Sequence, residues 1–153
     1  MKTPPKGLVV TAPTPEDKAA WRVLYNGYAE FYKVPMTDQT ADTVWGWIHD
    51  PEHEVNALVA KTGDGRLVGL AHYRQMARPL AGTVGGFLDD LFVAPDMRGG
   101  GVAEALIGRL TEIGREKKWQ VIRWITAENN YRGRAFYDRC ATKTNWLTYE
   151  IRP

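Results

Sequence analysis

Apolar positions spaced for strands and for helices alternate along this chain. Residues 8–11 form a strand candidate, and Thr14 with Pro15 then marks a helix N-terminus. Apolar residues recur in this helix at the three-to-four spacing of a buried face, at Ala20, Val23, Leu24, Gly27 and Phe31. Thr37 is a candidate cap for a second helix, which stops near Pro51.

Strand-length runs dominate from residue 55. The runs 56–61 and 66–76 flank a Gly-Asp-Gly turn and predict a hairpin, and residues 77–86 are predicted to be a loop. A central strand then leads into a glycine turn and a helix. A strand at 119–126, a helix at 130–140 and a closing strand at 146–151 follow. The sequence predicts an α/β fold in one domain, residues 1–153, in the order β-α-α-β-β-β-α-β-α-β.

Composition narrows the class of protein. The chain has 153 residues, is 44% apolar and carries a net charge of +2, so it can bury a core and shows no basic stripe for nucleic acid. We find no apolar run that could cross a membrane and no secretory leader, and the single cysteine, Cys140, suits a reducing compartment. We therefore expect a cytoplasmic protein with no membrane or nucleic-acid partner.

The strongest motif is the turn between the central strand and the following helix, Arg98-Gly99-Gly100-Gly101. A glycine turn closing onto a helix start directs backbone N–H groups and the helix dipole at one small volume, which favours an anion. Arg98 adds a positive charge. An ordinary strand-to-helix turn is the alternative, whereas a Walker loop and a dinucleotide fingerprint do not match.

The run from Arg98 to Ala103, R-x-x-G-x-A, resembles the acetyl-CoA pyrophosphate loop of the GCN5-related N-acetyltransferase (GNAT) superfamily. The resemblance implies a mixed, mostly antiparallel sheet flanked by helices, acetyl-CoA as co-substrate, direct transfer to an amine, and no metal. In that family the central strand separates from its neighbour near the thioester. The implied donor-binding residues are Leu91, Phe92, Val93, Arg98, Gly99, Gly100, Gly101, Val102 and Ala103.

A second part of the resemblance lies in the last predicted helix. Asn130 and Tyr137 are seven residues apart, so both are expected on one helix face along an extended ligand. The family likeness makes Tyr137 the general acid for the departing thiolate, and a tyrosine that caps the core is the alternative. The segments 124–130, 135–138 and 144–149 look like a microbial subgroup related to fungal amino-acid and histone acetyltransferases.

Two adjacent acids precede the end of the central strand. Asp89 and Asp90 should point to opposite faces of a regular strand, so only one is expected to meet the acceptor. Asp90 occupies a position where related acetyltransferases often carry an acid, and we expect it to anchor the amine or to act as a base through water. A structural salt bridge to Arg74 or Arg78 is the alternative.

Aromatic and acidic residues elsewhere suit a cationic amine. The predicted acceptor-binding residues are Glu30, Tyr32, Asp90, Trp124 and Glu128, and weaker candidates are Tyr28, Trp45, Trp47, His72 and Tyr73. His72 alone is better interpreted as a structural histidine. The expected reaction is acetylation of a small primary amine, such as a diamine, polyamine or amino acid. The alternatives are a non-catalytic acyl-CoA-binding module and a protein lysine acetyltransferase. A short final strand favours a homodimer.

Overall fold

A computed structural model describes residues 1–153, which divide into two compact units. Residues 2–124 form one unit, and residue 1 with residues 125–153 forms the other. The strands are β1 (Val9–Thr11), β2 (Asn56–Lys61), β3 (Leu67–Arg78), β4 (Thr83–Val93) and β5 (Ile122–Arg123). The helices are α1 (Lys18–Phe31), α2 (Asp38–His49), α3 (Val102–Glu116) and α4 (Tyr131–Cys140).

The first unit is built on a five-stranded sheet in the order β1-β2-β3-β4-β5. The first four strands are antiparallel neighbours, and β5 runs parallel to β4 after the α3 crossover. Helices α1 and α3 cover opposite faces of the sheet. On β3, Gly69 lies against α3, whereas His72, three residues further along and therefore on the other face, contacts Trp21 of α1. This confirms the predicted α/β class with a mixed, mostly antiparallel sheet.

Pairing between β4 and β5 is short, and this shapes the end of β4. The ladder joins Gly86 to Ile122 and Phe87 to Arg123, and β5 ends there. From Leu88 to Val93, β4 keeps β3 on one side but has no strand on the other. The structure thus contains the strand separation that the family resemblance implies.

Residues 77–86 are strand rather than the predicted loop. Strand β3 continues to Arg78, β4 begins at Thr83, and only a short 3-10 turn joins them. Gly82 forms this turn, with φ +62°, but Gly85 and Gly86 lie within β4 and serve close packing. A Cβ atom on Gly85 would meet the Val121 carbonyl oxygen at 2.9 Å, and one on Gly86 would meet the Trp119 ring at 2.4 Å.

We expect Gly86→Ala to lower the free energy of unfolding by about 1 to 3 kcal/mol, the usual cost of an overpacked core. The Trp119 ring cannot easily move, because its Nε1–H donates to Gln75 Oε1 at 2.9 Å. The matched control is Gly46→Ala in α2, where a Cβ meets nothing within 4 Å. This substitution should stabilise the helix by about 0.5 to 1 kcal/mol. Urea denaturation of both variants measures the two effects, and equal shifts would contradict the packing argument.

The closing strand predicted at 146–151 does not form. Residues 141–153 have no regular structure, and their large apolar side chains are exposed, namely Trp146, Leu147, Tyr149 and Ile151. A strand needs a neighbour to pair with, and this unit contains no other strand. The strand predicted at 119–126 is likewise reduced to the two residues of β5.

The buried face of α1 also differs from the prediction. Leu24 is buried as predicted, but Val23 and Phe31 are exposed, and the helix also buries Trp21 and packs Tyr25 and Tyr28 against the sheet. Apolar spacing places both sets on plausible stripes of one helix, so the spacing alone did not distinguish them. No helix in the structure combines the length and apolar character that a membrane span requires.

Candidate active site

The two adjacent acids of β4 lie at a β-bulge. His72 of β3 pairs with Asp90, but the next residue, Tyr73, pairs with Leu88. Asp89 is therefore an extra residue without a partner on β3. Its free carbonyl oxygen accepts a hydrogen bond from the Tyr28 hydroxyl at 3.4 Å.

The bulge brings both carboxylates to the same side of the sheet, contrary to the prediction. Asp89 meets Arg74 Nε at 3.1 and 3.3 Å, and Asp90 meets His72 Nδ1 at 2.8 Å. Arg74 and His72 are two apart on β3 and so share a face. The predicted alternative of a salt bridge to Arg74 is thus realised by Asp89 and not by Asp90.

Asp90 is held by neutral donors from two elements. Its Oδ2 accepts from His72 Nδ1–H and from the Tyr25 hydroxyl at 3.2 Å, and its side chain is 19% exposed. Nε2 of His72 accepts from Trp21 Nε1–H at 2.9 Å, so the ring proton is on Nδ1 and the imidazole is neutral. Asp90 therefore has no cationic partner within the protein.

Burial and hydrogen bonding act on the Asp90 carboxyl in opposite directions. Burial raises its pKa, but the hydrogen bond from His72, the positive charge that this ring carries when protonated, and the hydroxyls of Tyr28 and Tyr25 together outweigh burial and leave the pKa below its ordinary value. Asp90 is thus ionised across the neutral range. Its ionised form favours folding above the ordinary pKa, and this contribution is lost as pH falls through the lower folded value.

The neighbouring groups have raised pKa values. Burial, followed by the negative charge of Asp90, raises the pKa of Tyr25 and Tyr28, so both stay protonated donors. Burial also raises the pKa of Asp89, although the Arg74 guanidinium opposes it. The site therefore presents one paired and one unpaired carboxylate beside an aromatic wall, the packed rings of Trp21, Tyr25, Tyr28 and Tyr32.

The glycine turn has the conformation that a phosphate loop needs. Gly99 and Gly101 have φ angles of +75° and +89°, which favour glycine. Gly101 is the N-cap of α3, and the first intrahelical bond is from Ala105 N–H to Gly101 O. Helix geometry leaves the N–H groups of Val102 and Ala103 without intrahelical acceptors, at the positive end of the dipole.

Residues of the N-terminus lie on this loop. Lys2 Nζ donates to Gly99 O at 2.7 Å, and a Cβ on Gly101 would meet the Thr3 carbonyl oxygen at 2.6 Å. Arg98, which precedes the three glycines, links the loop to the end of β4, because its Nε donates to Val93 O at 3.1 Å. Its guanidinium lies 5.2 Å from the centre of the Phe92 ring. The arginine thus contacts the strand end as well as flanking the glycines.

A separate cleft of about 750 Å³ lies beside α1. The stripe that the sequence predicted as buried lines it, together with Phe92, Arg98 and the turn before β3. Gly27 sits against Phe92, where a Cβ would approach the ring to 2.8 Å. Glu30, a predicted acceptor residue, is on this cleft and exposed, so it lies on the helix stripe away from the two acids.

The remaining acceptor candidates fall into different surroundings. Tyr32 packs edge-on against Tyr28 at 5.0 Å, within the aromatic wall. Trp124 is half-buried against the core of the first unit. Glu128 is exposed and belongs to the second unit. Sequence reasoning missed Trp21 and Tyr25, and only their spacing with Tyr28 on one helix stripe could have indicated them.

The predicted donor residues of the second unit lie at α4. Asn130 is its N-cap: the side-chain oxygen accepts from Gly133 N–H at 3.1 Å, and the side-chain nitrogen donates to Thr126 Oγ1 at 3.0 Å. Asn130 thus starts the helix rather than lying within it. Tyr137 is in the second turn, with the Phe136 ring 5.6 Å away. Their roles toward a ligand stay predictions.

Comparisons with known proteins agree with this architecture. The D-amino-acid N-acetyltransferase HPA3 of Saccharomyces cerevisiae is 29% identical over 94% of this chain and 89% of its own. The structure of a ribosomal-protein-alanine N-acetyltransferase from Brucella melitensis biovar Abortus 2308 is 27% identical, with a TM-score of 0.78 over 95% of this chain and 98% of that one. AAC(6′)-Iy in complex with a CoA bisubstrate analogue shares the fold, at 17% identity and a TM-score of 0.82 over 95% and 97% of the two chains. The fold is thus that of N-acetyltransferases.

The family assignment follows from the sequence match. A model described as the acetyltransferase (GNAT) family matches residues 21–141, which is most of the chain. The chain therefore belongs to the acetyltransferase (GNAT) family. It is an acetyl-CoA-dependent N-acetyltransferase, and the predicted family membership is confirmed.

Proposed function

We propose that this enzyme transfers the acetyl group of acetyl-CoA directly to the primary amine of a small molecule, and that Asp90 anchors the ammonium form of that amine. The observation that carries the proposal is the charge of the site. Asp89 is neutralised by Arg74, His72 is neutral, and Asp90 remains an ionised carboxylate without a cationic partner. An ionised, partly buried carboxylate without a cationic partner attracts a cation that reaches it.

Asp90 suits an anchor better than a base. A carboxylate whose pKa lies below its ordinary range is a poor acceptor for the proton of an ammonium group, whose pKa is near 10. In this proposal water or solvent-linked groups remove that proton. The amine nitrogen then attacks the thioester carbonyl carbon, the carbon–sulfur bond breaks, and Tyr137 protonates the departing thiolate.

The donor is assigned to the separated end of β4 and the glycine loop. Backbone groups of Leu91, Phe92 and Val93 would hold the pantetheine arm and the carbonyl, because β4 has no strand on that side. The N–H groups at the start of α3 would bind the pyrophosphate. The residues assigned to it are Arg98, Gly99, Gly100, Gly101, Val102 and Ala103, and Asn130 is assigned to the donor from α4.

The proposed acceptor is a small primary amine. Candidates are a diamine, a polyamine or an amino acid, with Tyr32 in the aromatic wall and Glu30, Trp124 and Glu128 assigned as further contacts. The likeness to a yeast D-amino-acid N-acetyltransferase supports including amino acids of both configurations. The Brucella likeness gives a specific reason to include a protein acceptor, presented as a peptide with N-terminal alanine.

The test is release of CoA thiol from acetyl-CoA with a panel of these acceptors, using a Cys140→Ser variant so that the thiol reagent reports only CoA. We expect turnover with at least one small amine and weaker turnover with the peptide. Preference for the peptide would move the function to protein acetylation. If the protein binds CoA but acetylates no acceptor of the panel, it is a non-catalytic acyl-CoA-binding module and the proposed function is wrong. A homodimer and a cytoplasmic location stay predictions.

A further inference from the structure

His72 is the one polar residue that the core buries, with 1% of it exposed. Both of its ring nitrogens are hydrogen-bonded, so burial is compensated, and an apolar side chain of similar size would leave the buried Trp21 Nε1–H without an acceptor. Packing alone therefore does not explain a histidine at this position. One ring nitrogen accepts a hydrogen bond and the other donates one, and the donated bond goes to Asp90, the proposed anchor of the acceptor.

The hydrogen bonds run from the helix to the acid. Trp21 has only a donor, so its Nε1–H requires Nε2 of His72 to be unprotonated. The single ring proton is then on Nδ1 and points at Asp90 Oδ2, at 2.8 Å. A tryptophan on α1 thus selects the tautomer that a histidine on β3 presents to β4.

Oδ2 of Asp90 is fully used by this arrangement. It accepts from His72 and from the Tyr25 hydroxyl, at 2.8 and 3.2 Å, and Oδ1 takes part in neither bond. With one oxygen fixed by donors on two different elements, the carboxylate cannot rotate without breaking both bonds. Oδ1 is therefore the oxygen that neither of these two donors occupies.

We infer that His72 is a positioning residue for the transfer reaction: held by Trp21 in its Nδ1–H tautomer, it fixes Asp90 so that Oδ1 faces the amine. This inference rests on the proposed amine acceptor. His72 touches neither substrate in it and acts only through Asp90.

The ionisation of Asp90 should depend on the same bond. The groups that face this carboxyl are His72 and Arg74 on β3, Tyr25 and Tyr28 on α1, and Asp89 beside it on β4. Removing the Nδ1–H donor takes away a hydrogen bond that lowers the pKa of Asp90, while burial, which raises it, remains. The acidic limb of kcat/KM for the amine should then move to higher pH.

Two substitutions separate the two nitrogens. In His72→Asn the amide nitrogen can replace Nδ1 and still donate to Asp90. In His72→Gln the longer side chain can replace Nε2 toward Trp21, but the donor to Asp90 is lost. We expect His72→Gln to raise KM for the amine about ten-fold or more and to shift the acidic limb upward, with KM for acetyl-CoA unchanged. His72→Asn should keep KM for the amine within about three-fold.

A merely structural histidine predicts another pattern. Both variants would then lose thermal stability, and the folded fraction would keep the parental KM and pH profile. That outcome, or equal kinetic damage in both variants, overturns the inference.

Nitrogen NMR of histidine-labelled parental protein tests the geometry without any substitution. We expect a protonated Nδ1 and an unprotonated Nε2 for His72 at neutral pH, and the opposite tautomer or a doubly protonated ring contradicts the inference. If the parental enzyme acetylates no amine, the proposed function fails by itself. The NMR result still decides whether His72 holds Asp90 in this way.

Discussion

Gly101→Glu is expected to lower the affinity for acetyl-CoA by about 100-fold or more. Three effects act together at this position. A non-glycine residue at φ +89° is strained by about 1 to 2 kcal/mol, and its Cβ would displace the Thr3 carbonyl that lies 2.6 Å away. The carboxylate also places a negative charge where the helix dipole should meet the pyrophosphate. Calorimetric titration with CoA measures the loss.

Two matched variants separate these effects. Gly101→Gln has the same shape without the charge, so we expect an intermediate loss of about ten-fold. Gly108→Glu adds the same charge to the same helix at a site where a Cβ meets nothing within 4 Å, and it should bind CoA normally. If Gly101→Glu binds CoA with parental affinity, the glycine loop is not part of the donor site.

Asp90→Asn is expected to reduce kcat/KM for the amine by about 100-fold, since truncating one member of a hydrogen-bonded charge pair costs roughly 2 to 5 kcal/mol. The asparagine keeps the shape and can still accept from His72 and Tyr25, so the fold should persist. CoA affinity should not change. Steady-state kinetics with the acceptor identified by the amine panel measures the effect.

Asp96→Asn is the control for net charge. Unlike Asp90, Asp96 has a cationic partner, Arg66, at 2.7 Å, and the pair lies on the exposed surface, where it contributes little. We expect nearly parental kinetics from it. A loss of less than about three-fold in Asp90→Asn would mean that the unpaired carboxylate does not bind the amine. Because the pKa of Asp90 is lowered, parental activity should show no acidic limb from this group until well below pH 5.

Local sequence signals predicted much of the fold. The hairpin of β2 and β3 has its Gly-Asp-Gly turn at the predicted place, and α2 begins at Thr37, whose hydroxyl accepts from Thr40 N–H. The glycine turn and α3 also follow the prediction. In each case the turn or cap residues lie within a few positions of the element they start, so no distant contact was needed.

The predictions that were wrong depend on distant residues. The glycines of β4 looked like loop residues because Trp119, which they accommodate, is more than 30 residues away in sequence. The bulge at Asp89 comes from the register between β3 and β4, and no residue type announces it. It places both acids on one face, where strand alternation predicted opposite faces.

The candidate site was predicted by position and not by its interactions. Asp90 was identified from its place before the end of β4, but no sequence pattern indicated that His72 would hold it, because that bond crosses between strands. Trp21 completes the arrangement from α1, 51 residues before His72. Family likeness supplies the reaction, whereas the neutral donors around the carboxylate are visible only in the structure.

The contact between Lys2 and Gly99 affects when the glycine loop reaches its native conformation during folding. The two residues are 97 positions apart, so this contact is among the least local in the unit and is expected to close late in folding. Until then the loop lacks the support of Thr3 against Gly101. The glycine loop should therefore be among the later parts of this unit to reach its final form.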